Sequence, residues 1–548
     1  MKKYQFGIIL VLVALINILQ STSTELLQDE AYYWMYSNFL DWGYFDHPPL
    51  VAVYIYLSDF FFSDELGVRF MSAIFYSITA YLVWTLIDIP DKKKHQNLFL
   101  LAFISTALLN VYGFITVPDT PFLFFMALYL IAYKRILKSD DWQGFLLFAV
   151  SIAGLLYSKY TGVLVIAFTI FSNLSLLANK KFWLSAIGVV LLFLPHLLWQ
   201  YFNDYPSIRY HLFERSSNRT YRIDYTMMHL LNQIAIIGFT FPIVYLAFYK
   251  NLKNKDLFQK ALNYIVIGFI SFFFIMSFKG PTQAQWTVPI SFPLIIITFL
   301  YIIKNPKSKK IFKRLAIVNL VVIALARVLL ANEGILPLEL ETHGNKTWVE
   351  KLMKQTKGQK KLFLNSYQNA SLYSFYSKEE LTGAYNSFNS RKNQFNIWNL
   401  QDSLINQDIV QIQGHNNSDA LYVFDKKKKG KLYGEILEKF QSLRNLTYTT
   451  NNEILLNENN KIAIDIYNPY TYNFSLDKIN TLVILKDANN KTIETIVASY
   501  KNTNTIPSSE TSSHILVFKI KGSIDLKQVD HFNIAIRNNT KMAYQKVN

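Results

Sequence analysis

Asp29-Glu30-Ala31-Tyr32-Tyr33-Trp34 and, seven residues on, Asp41-Trp42-Gly43-Tyr44-Phe45-Asp46-His47-Pro48-Pro49-Leu50 set acids, a histidine and aromatics directly behind an apolar run at residues 4–20. From Ser21 to Leu66 the acids stand at 25, 29, 30, 41, 46, 59, 64 and 65 with no Lys or Arg among them, in a chain whose formal net charge is +17. A stretch of that sign next to a membrane helix belongs on the non-cytoplasmic side, because positive charge is retained in the cytoplasm.

Working outward, 51% of the 548 residues are hydrophobic. Apolar runs recur near 4–20, 66–88, 97–111, 120–137, 142–157, 160–178, 182–201, 228–249, 261–278, 286–303 and 314–332. Each is of a length to cross about 30 Å of hydrocarbon, which predicts a polytopic protein of about eleven transmembrane helices. Lys2 and Lys3, Lys92 to Lys94, Lys134, Arg135 and Lys138, Lys180 and Lys181, Lys250 to Lys260 and the run Lys304 to Arg314 flank alternate loops and share one side. That pattern fixes a cytoplasmic N-terminus and, with an odd number of spans, an extracytoplasmic tail after about residue 334. Gln20-Ser21-Thr22-Ser23-Thr24 lacks a small-residue cleavage pattern, so the first span is expected to stay as an anchor. With no cysteine there are no disulfides on the oxidising side.

Three regions are expected: a membrane domain over 1–334, a small extracytoplasmic α/β domain over 335–440 and a β-sandwich over 441–548. The middle region mixes a helical pattern at Lys346–Gln355 with short apolar strands at Lys361–Leu364 and Leu421–Phe424. In the last, Ile462, Ile464 and Ile466 alternate with polar neighbours, as do Phe532, Ile534 and Ile536, and about seven such strands suit a sandwich.

The net charge excludes little by itself. About twenty of the basic residues flank spans, where they serve topology and lipid headgroups, so nucleic acid is not expected as a partner. Neither a Gly-rich phosphate loop nor an Asp-x-Asp pair for a metal-held nucleotide sugar is present.

The candidate chemistry lies in the loops on one side. Asp29 and Glu30 are adjacent carboxylates at a membrane surface, where an acid becomes a general base once substrate excludes water, although acids also simply favour a helix N-terminus. Tyr32, Tyr33, Trp34, Tyr36, Trp42, Tyr44 and Phe45 suit either the bilayer interface or the face of a sugar ring. His47 precedes two prolines that direct the chain into the amphipathic stretch Leu50–Phe62. Asp119, in Val117-Pro118-Asp119-Thr120-Pro121, is a second carboxylate or an N-cap. Arg69, Lys159, Arg209, Arg215, Arg219 and Arg222 gather where topology does not favour cations, and suit a phosphate. Lys279, Gln285 and Trp286 add a cation, an amide and an indole in a further turn.

Taken together, Asp29-Glu30-Ala31-Tyr32-Tyr33, the Asp41–Leu50 block ending His47-Pro48-Pro49-Leu50, Val68-Arg69, Pro118-Asp119 and Ser158-Lys159-Tyr160 resemble bacterial glycosyltransferase family 39. That family includes protein O-mannosyltransferases and lipid A aminoarabinose transferases. The resemblance runs over roughly residues 1–400, including Asn365–Ser371 and Asn389–Trp398. It implies a GT-C fold enzyme of the bacterial cytoplasmic membrane that takes one sugar from a polyprenyl-phosphate donor and transfers it, with inversion, to an envelope acceptor: protein, lipid A or another glycan. By motif, Asp29 is then the base, Glu30 and Asp119 support the site, His47, Tyr32, Tyr33, Lys279, Gln285 and Trp286 border the cavity, and Arg69, Lys159, Arg209 and Arg222 hold the donor phosphate. No cofactor is expected; Glu30, His47 and Asp119 leave a divalent metal open, without ligand spacing that argues for one. Two rivals remain. A flippase of lipid-linked glycans would place charges near the bilayer midplane, and a non-catalytic glycan-binding protein would use Asp29 only as a cap.

Overall fold

The computed structural model describes residues 4–214, 220–335, 337, 339–379, 381–415, 420–426, 429–450, 456–488, 491–501, 505–538 and 540–546. The chain forms two compact units, Met1–His343 and Gly344–Asn548.

The first unit is helical: α1 Gln5–Ser23, α2 Gln28–Asn38, α3 Leu50–Phe61, α4 Asp64–Thr85, α5 Gln96–Ile104, α6 Ala107–Val111, α7 Asp119–Ser139, α8 Trp142–Ser158, α9 Gly162–Ser172, α10 Lys180–Phe202, α11 Pro206–Arg209, α12 Ile223–Ile237, α13 Phe241–Asn251, α14 Leu257–Ser277, α15 Ser291–Lys304 and α16 Pro306–Ala331. Eight stretches among the described residues are long and apolar enough to cross a membrane, with α12–α13 forming one of them and α15 with its preceding 3-10 turn another. Eight of the eleven expected runs meet that measure. The three remaining runs are shorter: α8 has 17 residues, α9 has 11, and 97–111 is divided between α5 and α6.

The α5–α6 break has a physical account. Thr106 turns to an extended conformation and its hydroxyl bonds back to the Ala102 carbonyl at 2.9 Å. The carbonyls released there are taken by side-chain amides: Asn110 Nδ2 donates to Ile104 O and Asn319 Nδ2 to Ser105 O, both at 2.9 Å. A second break, between α12 and α13, uses the same asparagine. Phe239 N donates to Asn319 Oδ1 at 2.7 Å and Asn319 Nδ2 donates to Ile237 O at 2.9 Å. Gly238 has φ +74 there, and a Cβ would lie 2.5 Å from Asn319 Oδ1, so both conformation and space require glycine. Backbone groups freed within hydrocarbon must find partners inside the protein, and one buried amide from α16 serves both breaks.

α7 is central, touching α3, α4, α8 and α14, and buries Phe122, Met126, Tyr129, Leu130 and Tyr133. Gly154 of α8 lets the Phe125 ring approach to where a Cβ would stand 2.0 Å away.

In the second unit α17 Asn345–Gln355 and α18 Tyr367–Ser377 flank a five-stranded sheet of β1 Lys360–Leu364, β2 Gly383–Tyr385, β3 Ile409–Gln413, β4 Tyr422–Asp425 and β5 Lys431–Leu437. Its order is β2-β1-β3-β5-β4, with β1 parallel to β2 and β3 and the remainder antiparallel. The later strands are β6 Thr447–Thr449, β7 Asn459–Tyr467, β8 Phe474–Ser475, β9 Asn480–Lys486, β10 Thr492–Tyr500, β11 Thr505–Ile506, β12 Thr511–Lys519, β13 His531–Arg537 and β14 Gln545–Lys546. Seven join in the order β14-β13-β9-β10-β12-β7-β6, and β8 pairs with β11. β10 pairs with β9 along most of its length but meets β12 only at Ser499 and Tyr500. The sheet therefore turns at that point, and Ile462, Ile464 and Ile466 of β7 share a core with Val483 and Leu485 of β9 and Ile534 and Ile536 of β13. The sandwich is thus one sheet closing on itself. Met542, near the end of the chain, packs into the α/β core with Leu362, Tyr385 and Leu404, which ties the two layers into one unit.

Candidate functional site

α2 lies at the end of the bundle where α1 finishes and α4 and α7 begin. Its first turn carries Asp29 and Glu30, whose charge the helix N-terminus favours, and about 100° of helical rotation separates them. Glu30 turns inward and is fully buried; Asp29 is exposed.

Arg69, on α4, is also fully buried and meets Glu30 with two parallel bonds, Nε to Oε1 at 2.7 Å and Nη2 to Oε2 at 2.5 Å. Its other donors go to the carbonyls of Ser21 (3.2 Å), Thr24 (2.6 Å) and Glu25 (3.1 Å) where α1 ends. All five N–H groups of the guanidinium are used. This corrects the expectation that Arg69 binds the donor phosphate: it has neither exposure nor a spare donor, and it closes the end of α1 instead. Glu30 also accepts from Leu27 N at 3.1 Å and from Thr116 N at 2.9 Å, fixing the start of α2 and the loop that leads into α7. Thr116 is held further by its hydroxyl, which donates to Val68 O at 2.9 Å.

That loop delivers Asp119, the first residue of α7, to Lys159, which leaves α8 in an extended conformation. Lys159 Nζ lies 2.7 and 3.0 Å from the two Asp119 oxygens, and the side chains are 13% and 5% exposed. Asp119 thus orients a lysine that keeps an accessible edge. Glu30, Arg69, Asp119 and Lys159 form two ion pairs joined by the short backbone from Thr116 to Asp119.

The aromatic block folds over this end. Tyr36 and Tyr44 stack with centroids 3.9 Å apart, and Tyr36 donates to Asp46 Oδ1 at 2.6 Å. Burial, and then the Asp46 carboxylate, push the Tyr36 phenol well above its usual range. Tyr32 and Tyr33 are buried and pack on Tyr36 at 4.8 and 5.6 Å, so they build the wall behind the site; this corrects their expected place along an open cavity. His47 is half-buried, edge-on to Tyr33 at 5.5 Å and 6.4 Å from the ring of His211.

A network that the sequence reading missed holds the block in place. His196 Nδ1 is 2.7 Å from Trp42 O; a carbonyl only accepts, so Nδ1 carries the proton and Nε2 accepts from Tyr160 OH at 3.1 Å. Gln200 Nε2 donates to Tyr160 OH and to Ser207 Oγ, and Ser207 donates to Tyr44 O. Trp199 donates to Asp41 Oδ2 and His211 to Asp46 O. The signal was available: His196 and Gln200 are polar residues one turn apart in an apolar span, a pattern that marks function in membranes.

Arg209 ends α11 and is exposed. Arg222 is exposed and pairs with Asp224 at 3.0 Å. Arg215 and Arg219 lie outside the described residues. Lys279 is exposed beyond α14, Gln285 donates to Gln283 Oε1 at 3.0 Å, and Trp286 packs on Phe273 at 5.6 Å. This turn rests against α6, α7, α12 and α14. Among the described residues no group of three or more His, Asp or Glu is arranged to hold a metal ion.

Residues 46–199 match the family described as dolichyl-phosphate-mannose-protein mannosyltransferase. The matched segment contains His47, Arg69, Asp119, Lys159 and His196, and it is narrower than the 1–400 over which the motifs were traced. No curated protein matches the chain.

Proposed function

We propose, with that family of membrane-embedded glycosyltransferases as the premise, that this protein transfers one sugar, with inversion, from a polyprenyl-phosphate donor to an acceptor at the outer face of the bacterial cytoplasmic membrane. The observation that carries the reading is the division of labour between Asp29 and Glu30. The inner acid is spent on Arg69 and Thr116, so the outer one stands on a helix turn fixed from below.

In this reading Asp29 takes the proton of the acceptor hydroxyl as its oxygen attacks the anomeric carbon. The bond from that carbon to the phosphate oxygen breaks and the electron pair leaves with the phosphate. Lys159, oriented by Asp119, donates to the phosphate as its charge grows, an interaction stronger in the transition state than in the ground state. With Arg69 occupied, Lys159 and the exposed Arg209 and Arg222 are, among the described residues expected in that role, the cations left. The prenyl chain stays in the bilayer, and the basic loops on the opposite side support a cytoplasmic N-terminus. No cofactor is assigned to the reaction.

The test is sugar transfer by the purified protein in detergent from a panel of polyprenyl-phosphate sugars, with envelope protein, lipid A and glycan fractions as acceptors. Turnover of one donor, reduced about 10²–10⁴-fold in an Asp29→Asn variant of unchanged melting temperature, is the expected result. Full activity of that variant, or binding of donor without any turnover, would overturn the assignment.

A further inference from the structure

We infer that the cavity of about 340 Å³ at the start of β1 and β2 is a binding site for a neutral sugar, with Lys361 and Glu379 as the pair that grips its hydroxyls.

The cavity lies wholly within the second unit. It is bounded by Gly358 and Gln359 ahead of β1, by Leu381 and Thr382 ahead of β2, and by the 3-10 turn Leu400–Leu404. Its volume falls within the roughly 300–1,000 Å³ of small-molecule pockets. Gly383, which also lines it, brings no side chain into that space; a Cβ there would stand 3.2 Å from Leu362 Cδ1 and 3.6 Å from Leu400 Cβ.

Lys361 stands on β1 with its side chain 4% exposed, whereas that of Glu379 is 40% exposed. A lysine buried so deeply needs a partner. Its Nζ lies 3.0 Å from Glu379 Oε2, and 5.5 Å from the centroid of the Tyr373 ring. Tyr373 OH donates to the same Oε2 at 2.7 Å, so both bonds fall on one carboxylate oxygen. Among the described residues Oε1 has no donor, and the ammonium, with three N–H groups, has one acceptor.

The pair balances its own charge, so it calls for hydrogen bonds and not for a counter-ion. An ammonium that only donates, beside a carboxylate that only accepts, matches adjacent hydroxyls on a sugar ring, each of which does both. Gln359 Oε1 accepts from Tyr422 OH at 3.1 Å, which leaves its amide N–H groups as donors, and Ser403, whose hydroxyl donates to Leu400 O, keeps an acceptor. Leu381, Leu400 and Leu404 supply apolar surface for the C–H face of the ring. Lys360 lines the cavity as well but is already engaged. An anionic ligand would meet the Glu379 carboxylate, the more exposed member of the pair. The inference uses no residue of the helical unit and does not depend on the transferase reading.

Saturation-transfer NMR on the purified full-length protein tests it, in a detergent without a sugar headgroup, with glucose, mannose, N-acetylglucosamine, arabinose and glucuronate as probes. At least one of the neutral sugars should bind wild type, and more tightly than glucuronate does. Glu379→Gln should weaken that binding at least tenfold. Ser403→Trp fills the cavity from an exposed position without touching the ion pair, so it should weaken binding equally while melting like wild type. Binding of no neutral sugar by folded wild type, preference for glucuronate, or binding unchanged in either variant would overturn the site.

Discussion

Glu30 and Asp29 are neighbours in sequence and opposite in circumstance, and the difference can be measured. Removing one member of a buried ion pair leaves the other charge uncompensated, at about 3–5 kcal/mol. Glu30→Gln and Arg69→Lys should therefore lower unfolding stability by amounts of that order; lysine cannot reproduce five directed bonds. Asp29→Asn should change stability by less than about 0.5 kcal/mol, as surface substitutions do. Denaturant or thermal unfolding in detergent separates the two classes. If Arg69→Lys melts like wild type and only raises KM for the donor, the phosphate role returns to Arg69. From sequence, Arg69 was an unexplained cation on the acidic side, and a phosphate was a reasonable partner. Its actual partner is 39 residues away in the chain, and no local pattern reports a contact of that kind.

Tyr36 and Tyr44 clamp the aromatic loop as buried phenols, and burial is the main reason each titrates above its usual range. The folded state keeps protons that the unfolded chain releases from about pH 10. Stability from these groups is therefore complete below pH 10 and falls above it, by about 1.4 kcal/mol per pH unit for each. Melting temperature followed from pH 8 to 11 should drop beyond pH 10, and Tyr36→Phe should flatten the drop. The helix breaks belong to this scale as well. Asn319→Leu strips partners from Ser105 O, Ile237 O and Phe239 N, and should cost about 3 kcal/mol or more. Gly238→Ala should destabilise comparably, through its positive φ and the lost space. Wild-type melting in either variant would show that the breaks are satisfied in another way. Hydrophobic runs located nearly every helix, because apolar spans are long and local. The α5–α6 interruption left no trace in them: Ser105-Thr106 contains neither Pro nor Gly, and the amide that compensates lies more than two hundred residues further on.

The whole molecule joins a helical unit to a β-rich unit that has its own core. The absence of cysteine makes sidedness directly testable. Lys94→Cys should react with an impermeant maleimide only in inside-out vesicles, and Lys521→Cys only in right-side-out ones; the reverse pattern would invert the topology. Strand alternation at Ile462, Ile464 and Ile466 exposed the sandwich in advance, since one face of each strand is buried. The return of Met542 to the α/β core could not be foreseen, because strand order is not written in local periodicity.

Asn319 also imposes an order on biogenesis. It lies on the last helix of its unit to leave the ribosome, yet the main-chain groups it satisfies belong to helices made about two hundred and about eighty residues earlier. Until α16 arrives, those interruptions sit in the lipid with open carbonyls, so the nascent bundle is held in an unfinished state that only its final helix can seal.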